Sequence, residues 1–338
     1  MSKGDSLRVG VLGCGHWGHN YVRVFSNFPE VTLAGVAEPI PARLAVASRT
    51  APGAFTTTDY RELLRGGRCD AVVISTHAAT HHQLAREAIE AGLDVLVEKP
   101  LTLSEADAAD LVQRSKQAGR LLMVAHTFLY NPSVWKLKQL LREGVLGDVY
   151  YLKARRTHLG MIREDVNAVW DLAPHDISMF IYLLDEEPTL VQAQARCMLR
   201  KGREDVAFIN LQFPSGVIGN IVVSWADSNK ERWLDIVGSR ARASFDDLNT
   251  AEPIRIFYKG VAVPEPGDEN FGEFKHLVRD GEIVSPKIAM QEPLKVLCED
   301  FVASIRERRA PVSDGELGRK VVSVLERIDR TLGKATPP

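Results

Sequence analysis

The segment WDLAPHD, residues 170–176, sets Asp171, His175 and Asp176 against an apolar run containing Ile177, Phe180, Ile181 and Leu184. Those four fall at helical spacing and read as one buried stripe, which leaves His175 off it. A histidine beside carboxylates can exchange a proton near neutral pH. Pro174 suits the first turn of a helix, so the expected placement puts His175 and Asp176 at a helix N-terminus. Asp171 then lies in the preceding turn, not on one regular face with His175. A helix N-terminus disfavours imidazolium, which would keep His175 neutral and able to accept a proton. A helix-capping acid beside a core histidine would look the same, so the segment alone does not decide.

Two other stretches bear on that choice. VGVLGCGHWGHNY holds Gly13, Gly15 and Gly18 in G-x-G-x-x-G spacing between a strand pattern and a helix pattern. Glu38 ends the next strand pattern, 20 residues past Gly18. Such glycines permit a tight turn and close approach of a pyrophosphate to a helix N-terminus, and the acid accepts from a ribose 2′-hydroxyl. A carboxylate there repels a 2′-phosphate, so the expected cofactor is NAD rather than NADP. LDVLVEKPL ends a buried strand on Glu98, Lys99 and Pro100. Carboxyl ends of parallel strands face the ligand crevice, so Lys99 is delivered beside the cofactor, where an amine can bond a substrate hydroxyl and lower its pKa.

The elements that must hold these residues fall into two patterns. Strand candidates at 7–13, 31–38, 53–57, 70–76, 94–99 and 120–127 are apolar on both faces and alternate with helical segments, which predicts a parallel sheet covered on both sides. After residue 126 a helix from Pro132 to Gly144 leads into alternating strands around 148–158, 189–199, 205–213, 216–226 and 232–238. The link PSG at 214–216 predicts antiparallel neighbours. Helical segments near 290–308 and 315–333 follow. The expected domains are 1–125, binding NAD, and 126–338, binding substrate and assembling oligomers. The second sheet carries apolar residues on both faces, with Ile209, Leu211 and Phe213 opposite Phe208, and Val217, Ile221, Val223 and Trp225 opposite Ile218 and Val222. One face is therefore an expected contact in a homodimer or homotetramer.

The 338 residues are 45% hydrophobic and 25% charged with a net charge of -2, enough for about two soluble domains and without a basic block for nucleic acid. No apolar run reaches membrane-spanning length and the first residues lack a leader pattern, so a cytoplasmic location is expected. Cys14, Cys69, Cys197 and Cys298 are scattered and read as reduced packing residues. His77, His81 and His82 straddle a turn with no carboxylate or cysteine to complete a ligand set, so no metal is expected.

In their order and spacing, the glycine motif, EKP at 98–100 and DLAPHD at 171–176 resemble the glucose-fructose oxidoreductase/inositol dehydrogenase/MocA (Gfo/Idh/MocA) family over nearly the whole chain. The resemblance implies an α/β protein: a Rossmann domain with a doubly wound parallel sheet, then an α/β domain on a large open, mostly antiparallel sheet. It implies Lys99, His175 and Asp171 as the catalytic set and a cis Lys99–Pro100 peptide. Cofactor contacts are implied for His16, Trp17, Thr76, His77, Glu98, Lys99 and Trp170 as well as the glycines and Glu38. Substrate contacts are implied for Lys99, Tyr130, Asn131, Asp171 and His175. AHTFLYNP at 125–132 and DVNAVWDLAPHD at 165–176 look like the branch that oxidises UDP-activated N-acetylglucosamine, or its uronic acid, at the 3-hydroxyl. Arg155, Arg156 and Arg163 precede the histidine segment and could neutralise a diphosphate. A free polyol or inositol as substrate, a non-catalytic NAD-binding regulator, and redox-neutral use of a retained NAD stay open.

Overall fold

Leu7, Val9, Val11 and Leu12 are buried together, as are all of Ala71–Ile74 and Asp94–Val97, so the strands they form lie inside a sheet covered on both faces. The computed structural model describes residues 6–160, 162–261 and 278–334. The stretch read for a leader begins outside them. The first elements are β1 (Leu7–Leu12), α1 (Gly18–Ser26), β2 (Val31–Ala37), α2 (Pro41–Thr50), β3 (Phe55–Thr57), α3 (Arg61–Leu64), β4 (Ala71–Ile74), α4 (His81–Glu90), β5 (Asp94–Val97), α5 (Glu105–Ala118) and β6 (Leu122–Val124). Their sheet has the order β3-β2-β1-β4-β5-β6 with every pair parallel. The order reverses beside β1, which places a ligand crevice at the carboxyl ends of β1 and β4.

There follow α6 (Pro132–Arg142), β7 (Val149–Leu159), α7 (Ala168–Leu184), β8 (Leu190–Arg196), β9 (Val206–Gln212), β10 (Ile218–Ser224), β11 (Ala226–Gly238), β12 (Arg242–Asp246), β13 (Ile254–Phe257), β14 (Gly260–Val261), β15 (Val278–Arg279) and β16 (Ile283–Val284). The second sheet runs β16-β13-β12-β11-β7-β10-β9-β8. β9 and β10 form the expected antiparallel pair across PSG, whereas β10 lies parallel to β7. The chain is thus α/β, with a parallel sheet followed by a larger, mostly antiparallel one. Strands β12 and β13 had no counterpart in the sequence reading.

Helices α8 (Pro293–Glu307) and α9 (Gly315–Thr331) complete the described elements. Residues up to 130 together with 292–326 form one compact unit, and 131–291 with 327–334 form the other. The expected cut at 125/126 gave both last helices to the second domain. The structure instead assigns α8 and most of α9 to the first unit. The reason is local: Val124 N bonds Ser313 O at 2.9 Å, Met123 bridges Asp314, and Tyr130 OH bonds Asp300 Oδ2 at 2.8 Å. The chain therefore returns to the edge of the parallel sheet. Among the described residues no helix is long and apolar enough to cross a membrane. Cys14, Cys69 and Cys298 are buried free thiols as expected of packing residues, but Cys197 is exposed.

Candidate active site

In the first unit, Gly13 has φ of 87° and a Cβ there would sit 2.9 Å from Ser75 O, while a Cβ on Gly18 would sit 2.1 Å from Gly13 O. Only glycine permits this turn. Gly15 differs: a Cβ there would meet nothing nearer than Arg43 Nη1 at 3.8 Å, so its face is open. Helix α1 begins without a side-chain cap, and its first turn is closed by backbone bonds, His19 N to Gly15 O at 3.4 Å and Asn20 N to Trp17 O at 2.9 Å. Glu38, buried at the end of β2, accepts from Cys14 N at 2.7 Å and from Ile40 N at 3.0 Å. Those bonds fix the carboxylate against the glycine loop. A cleft of about 370 Å³ lies alongside, lined by Gly13, Pro39, Tyr60, Thr76, His77 and Leu84 among others. The open Gly15 face, uncapped helix and fixed acid fit a dinucleotide. His16 and Trp17 are exposed on the loop, with ring centroids 5.8 Å apart.

Pro39, Thr58, Tyr60, Arg61 and Gln83 of that cleft were missed by the sequence reading. Applying the strand-end rule to β3 would have found Thr58 and Tyr60. Removing the acid tests the arrangement: Glu38→Ala is expected to weaken NAD about 10- to 100-fold, the worth of a charge-assisted hydrogen bond. Isothermal titration with NAD measures it.

Lys99 is buried at the end of β5, and its peptide to Pro100 is cis, as the resemblance implied. Glu98 was also expected at the cofactor. It accepts from Tyr21 OH at 2.7 Å and Lys99 N at 3.1 Å, so it braces the strand end against α1. Burial and the Glu98 charge push the Tyr21 phenol well up, which keeps it a donor. His81 places Nδ1 at 2.8 Å from Pro100 O and Nε2 at 3.2 Å from Thr76 O, while His82 Nε2 lies 2.9 Å from Asp110. His126 was not anticipated. It is 1% exposed, neither ring nitrogen has a hydrogen-bond partner among the described residues, and burial with the Lys99 charge holds its imidazole down at about 3. Its position just past β6 is again a strand end. Tyr130 was expected to meet substrate, but it is almost fully buried, and its hydroxyl gives to Asp300 and accepts from Ser313 N at 3.2 Å.

In the second unit, Asn167 caps α7 by accepting from Trp170 N at 2.9 Å, so the helix starts at Ala168, a turn and a half before the expected Pro174. Asp171 and His175 are consequently one turn apart within a single helix and share a face, contrary to the sequence placement. The helix dipole shifts with this earlier start. Its reach is about one turn, so it acts on Asp171 in the first turn and not on His175.

Arg163 bonds Asp165 at 2.9 Å and Asp171 at 3.1 Å. Arg156, expected at the substrate, is buried and bidentate with Asp176, at 3.0 and 2.8 Å, tying β7 to α7 beside His175. Removing either partner of such a pair costs about 3–5 kcal/mol. Asn131, expected at the substrate, caps α6 through Ser133 N at 2.9 Å and gives its amide to Asp247 at 3.1 Å. Trp170, expected at the cofactor, is buried with its indole N–H on Asp329 Oδ2 at 2.7 Å.

Family models match twice in succession: residues 7–126 fit an oxidoreductase family with an NAD-binding Rossmann fold, and residues 134–244 fit the GFO/IDH/MocA C-terminal domain. The chain is similar to UDP-N-acetylglucosamine 3-dehydrogenase of Acidithiobacillus ferrooxidans, 29% identical over 319 residues and 94% of each chain. It is also similar to myo-inositol 2-dehydrogenase of Thermotoga maritima, 24% identical over 324 residues, 93% of this chain and 92% of that one. A solved structure of the Acidithiobacillus enzyme superposes with a TM-score of 0.82 at 26% identity, covering 96% of this chain and 97% of that one. The glycine loop closed by Glu38 and the two matching domains agree: the chain belongs to the Gfo/Idh/MocA family of NAD-dependent oxidoreductases.

Proposed function

We propose that the chain oxidises a secondary hydroxyl of a sugar, with C3 of a UDP-activated N-acetylamino sugar as the specific reading. The observation that supports it most is Asp171 and His175 one turn apart on α7. They accompany an NAD-binding domain that presents Lys99 at a strand end. Bound NAD supplies the acceptor for the carbinol hydride. Lys99 binds and polarises the hydroxyl and steadies the alkoxide as it forms, His175 takes the proton, and Asp171 orients His175 or the substrate. The similarity to a UDP-N-acetylglucosamine 3-dehydrogenase across 94% of the chain supports the sugar nucleotide.

One observation favours a second reading, an uncharged polyol or free sugar. Arg155 pairs with Glu231 at 3.5 Å, Arg156 with Asp176 and Arg163 with Asp165 and Asp171, so the arginines expected to meet a diphosphate are already matched by acids. A panel of UDP-N-acetylglucosamine, its uronic acid, myo-inositol and free hexoses with NAD, followed by NADH absorbance, separates the two. Turnover of inositol but not of the UDP sugars would overturn the specific reading. NAD bound without NADH from any alcohol would overturn the dehydrogenase.

The reading also includes a homo-oligomer through the second sheet. Phe208 and Ile218 are 52% and 54% exposed, and the strand registers put Tyr151 beside Ile218 and Phe208 beside Val222 on the same face. A Phe208→Asp, Ile218→Asp double variant is expected to reduce the mass in light scattering to one 37.4 kDa chain. A parent protein that is already a single chain would refute this assembly.

A further inference from the structure

We infer that the last residues of the described chain, Asp329 and Lys334, are positioning residues that clamp the head of α7 and so set the place of Asp171 and His175. This rests on the reading of α7 as the reactive helix. The residues form a closed ring within the second unit. Trp170 gives its indole N–H to Asp329 Oδ2 at 2.7 Å. Lys334 Nζ lies 3.8 Å from Asp329 Oδ1 and bonds Glu204 Oε2. Glu204 Oε2 accepts from Asn167 Nδ2 at 2.7 Å, and Asn167 Oδ1 accepts from Trp170 N at 2.9 Å. Backbone bonds reinforce both ends: Ala168 N meets Glu204 O at 3.0 Å and Lys334 N meets Asp329 O at 3.0 Å.

The ring is more than ordinary packing because of what α7 lacks at that point. Pro174 lies inside the helix and has no N–H, so the carbonyl four residues earlier, that of Trp170, loses its helical partner. The first turn is therefore tied to the rest of α7 by one bond fewer than a regular helix supplies, and Trp170 is the residue whose carbonyl loses it. Asp329 grips that residue by its side chain. Asp171 follows it directly and His175 is one turn on, so slack at Trp170 passes straight to them. Asp329 and Trp170 are 6% and 5% exposed, which keeps water from replacing their bond cheaply. Neither Asp329 nor Lys334 touches reacting atoms in this scheme. They act through Trp170 and Asn167.

The test compares Asp329→Ala, Asp329→Asn, Trp170→Phe, Lys334→Met and the Asp329→Ala, Trp170→Phe double variant in the full-length protein, assayed with NAD and either UDP-N-acetylglucosamine or myo-inositol. Asp329→Ala is expected to lower kcat about 10- to 100-fold, the range for misplacing a reactive group by about an ångström, with KM for NAD unchanged. Asp329→Asn keeps an acceptor for the indole and is expected to retain most activity. The double variant should be no worse than the poorer single one, because both break one bond.

Hydrogen exchange of the amides of residues 169–172 should quicken in Asp329→Ala, and to a lesser extent in Lys334→Met, which sits at the more exposed end of the ring. Parental exchange at 169–172 in a folded Asp329→Ala, or equal losses in the Ala and Asn variants, would overturn the clamp. His175→Asn separates the two readings: if it keeps parental turnover, the reactive role of α7 falls, while the exchange data still judge the clamp.

Discussion

Replacing His175 by asparagine is expected to lower turnover by about 10²- to 10⁴-fold, the usual worth of a positioned base, and to leave NAD affinity nearly unchanged. The affinity should persist because Gly13, Glu38, Thr76 and His77 all belong to the first unit, at strand ends that α7 does not supply. Asparagine keeps a polar side chain of similar reach but cannot take the hydroxyl proton, so the loss should fall on kcat rather than on KM for NAD. A base works only when unprotonated, so activity of the parent falls on the acid side, and that limb should vanish in the variant. Lys99→Met should cost about 10²- to 10³-fold by removing the cation that steadies the alkoxide. Parental kcat in either folded variant, with the acid limb intact, would remove that residue from the mechanism. Steady-state rates across pH, together with NAD titration, give both quantities.

These expectations draw on residues of uneven legibility. The glycine loop and Glu38 were readable because their physics is local: a turn, a helix start and a strand end within one βα unit. Lys99 followed from the general rule that parallel strands end at the crevice. Tyr130, Asn131 and Trp170 were not readable, because their partners Asp300, Asp247 and Asp329 lie 170, 116 and 159 residues away in sequence. Nothing local says that a tyrosine beside an expected crevice will spend its hydroxyl on a returning helix. Arg156 illustrates the same limit over 20 residues, since its position in β7 and that of Asp176 in α7 become adjacent only when strand and helix pack. The start of α7 was misplaced for a different reason. Proline at the first helical position is the stronger statistical cue, but Asn167 supplied a real cap earlier and the helix absorbed Pro174 inside it. That single difference put Asp171 and His175 on one face.

A pH-dependent stability effect should come from His126. The free imidazole titrates at 6.5, but in the folded chain burial and the Lys99 charge hold it at about 3. Between those values the unfolded chain binds a proton that the folded chain refuses, so stability falls as pH falls from 6.5 toward 3 and is unaffected by this group above that window. At about 1.4 kcal/mol per pH unit, acidification from neutrality to pH 5 should cost about 2 kcal/mol from His126 alone. His126→Phe removes the titration and also two buried nitrogens that lack hydrogen-bond partners among the described residues. Each unmet buried polar group costs about 1–3 kcal/mol, so the variant should match or exceed the parent at pH 7 if the ring is accommodated, and should gain clearly at pH 5. Urea unfolding at the two pH values measures the difference, and an unchanged acid loss in the variant would show that other groups carry it. Lys99→Met provides the internal control: without the neighbouring cation the His126 imidazole should titrate higher, and the acid loss should shrink while catalysis is lost.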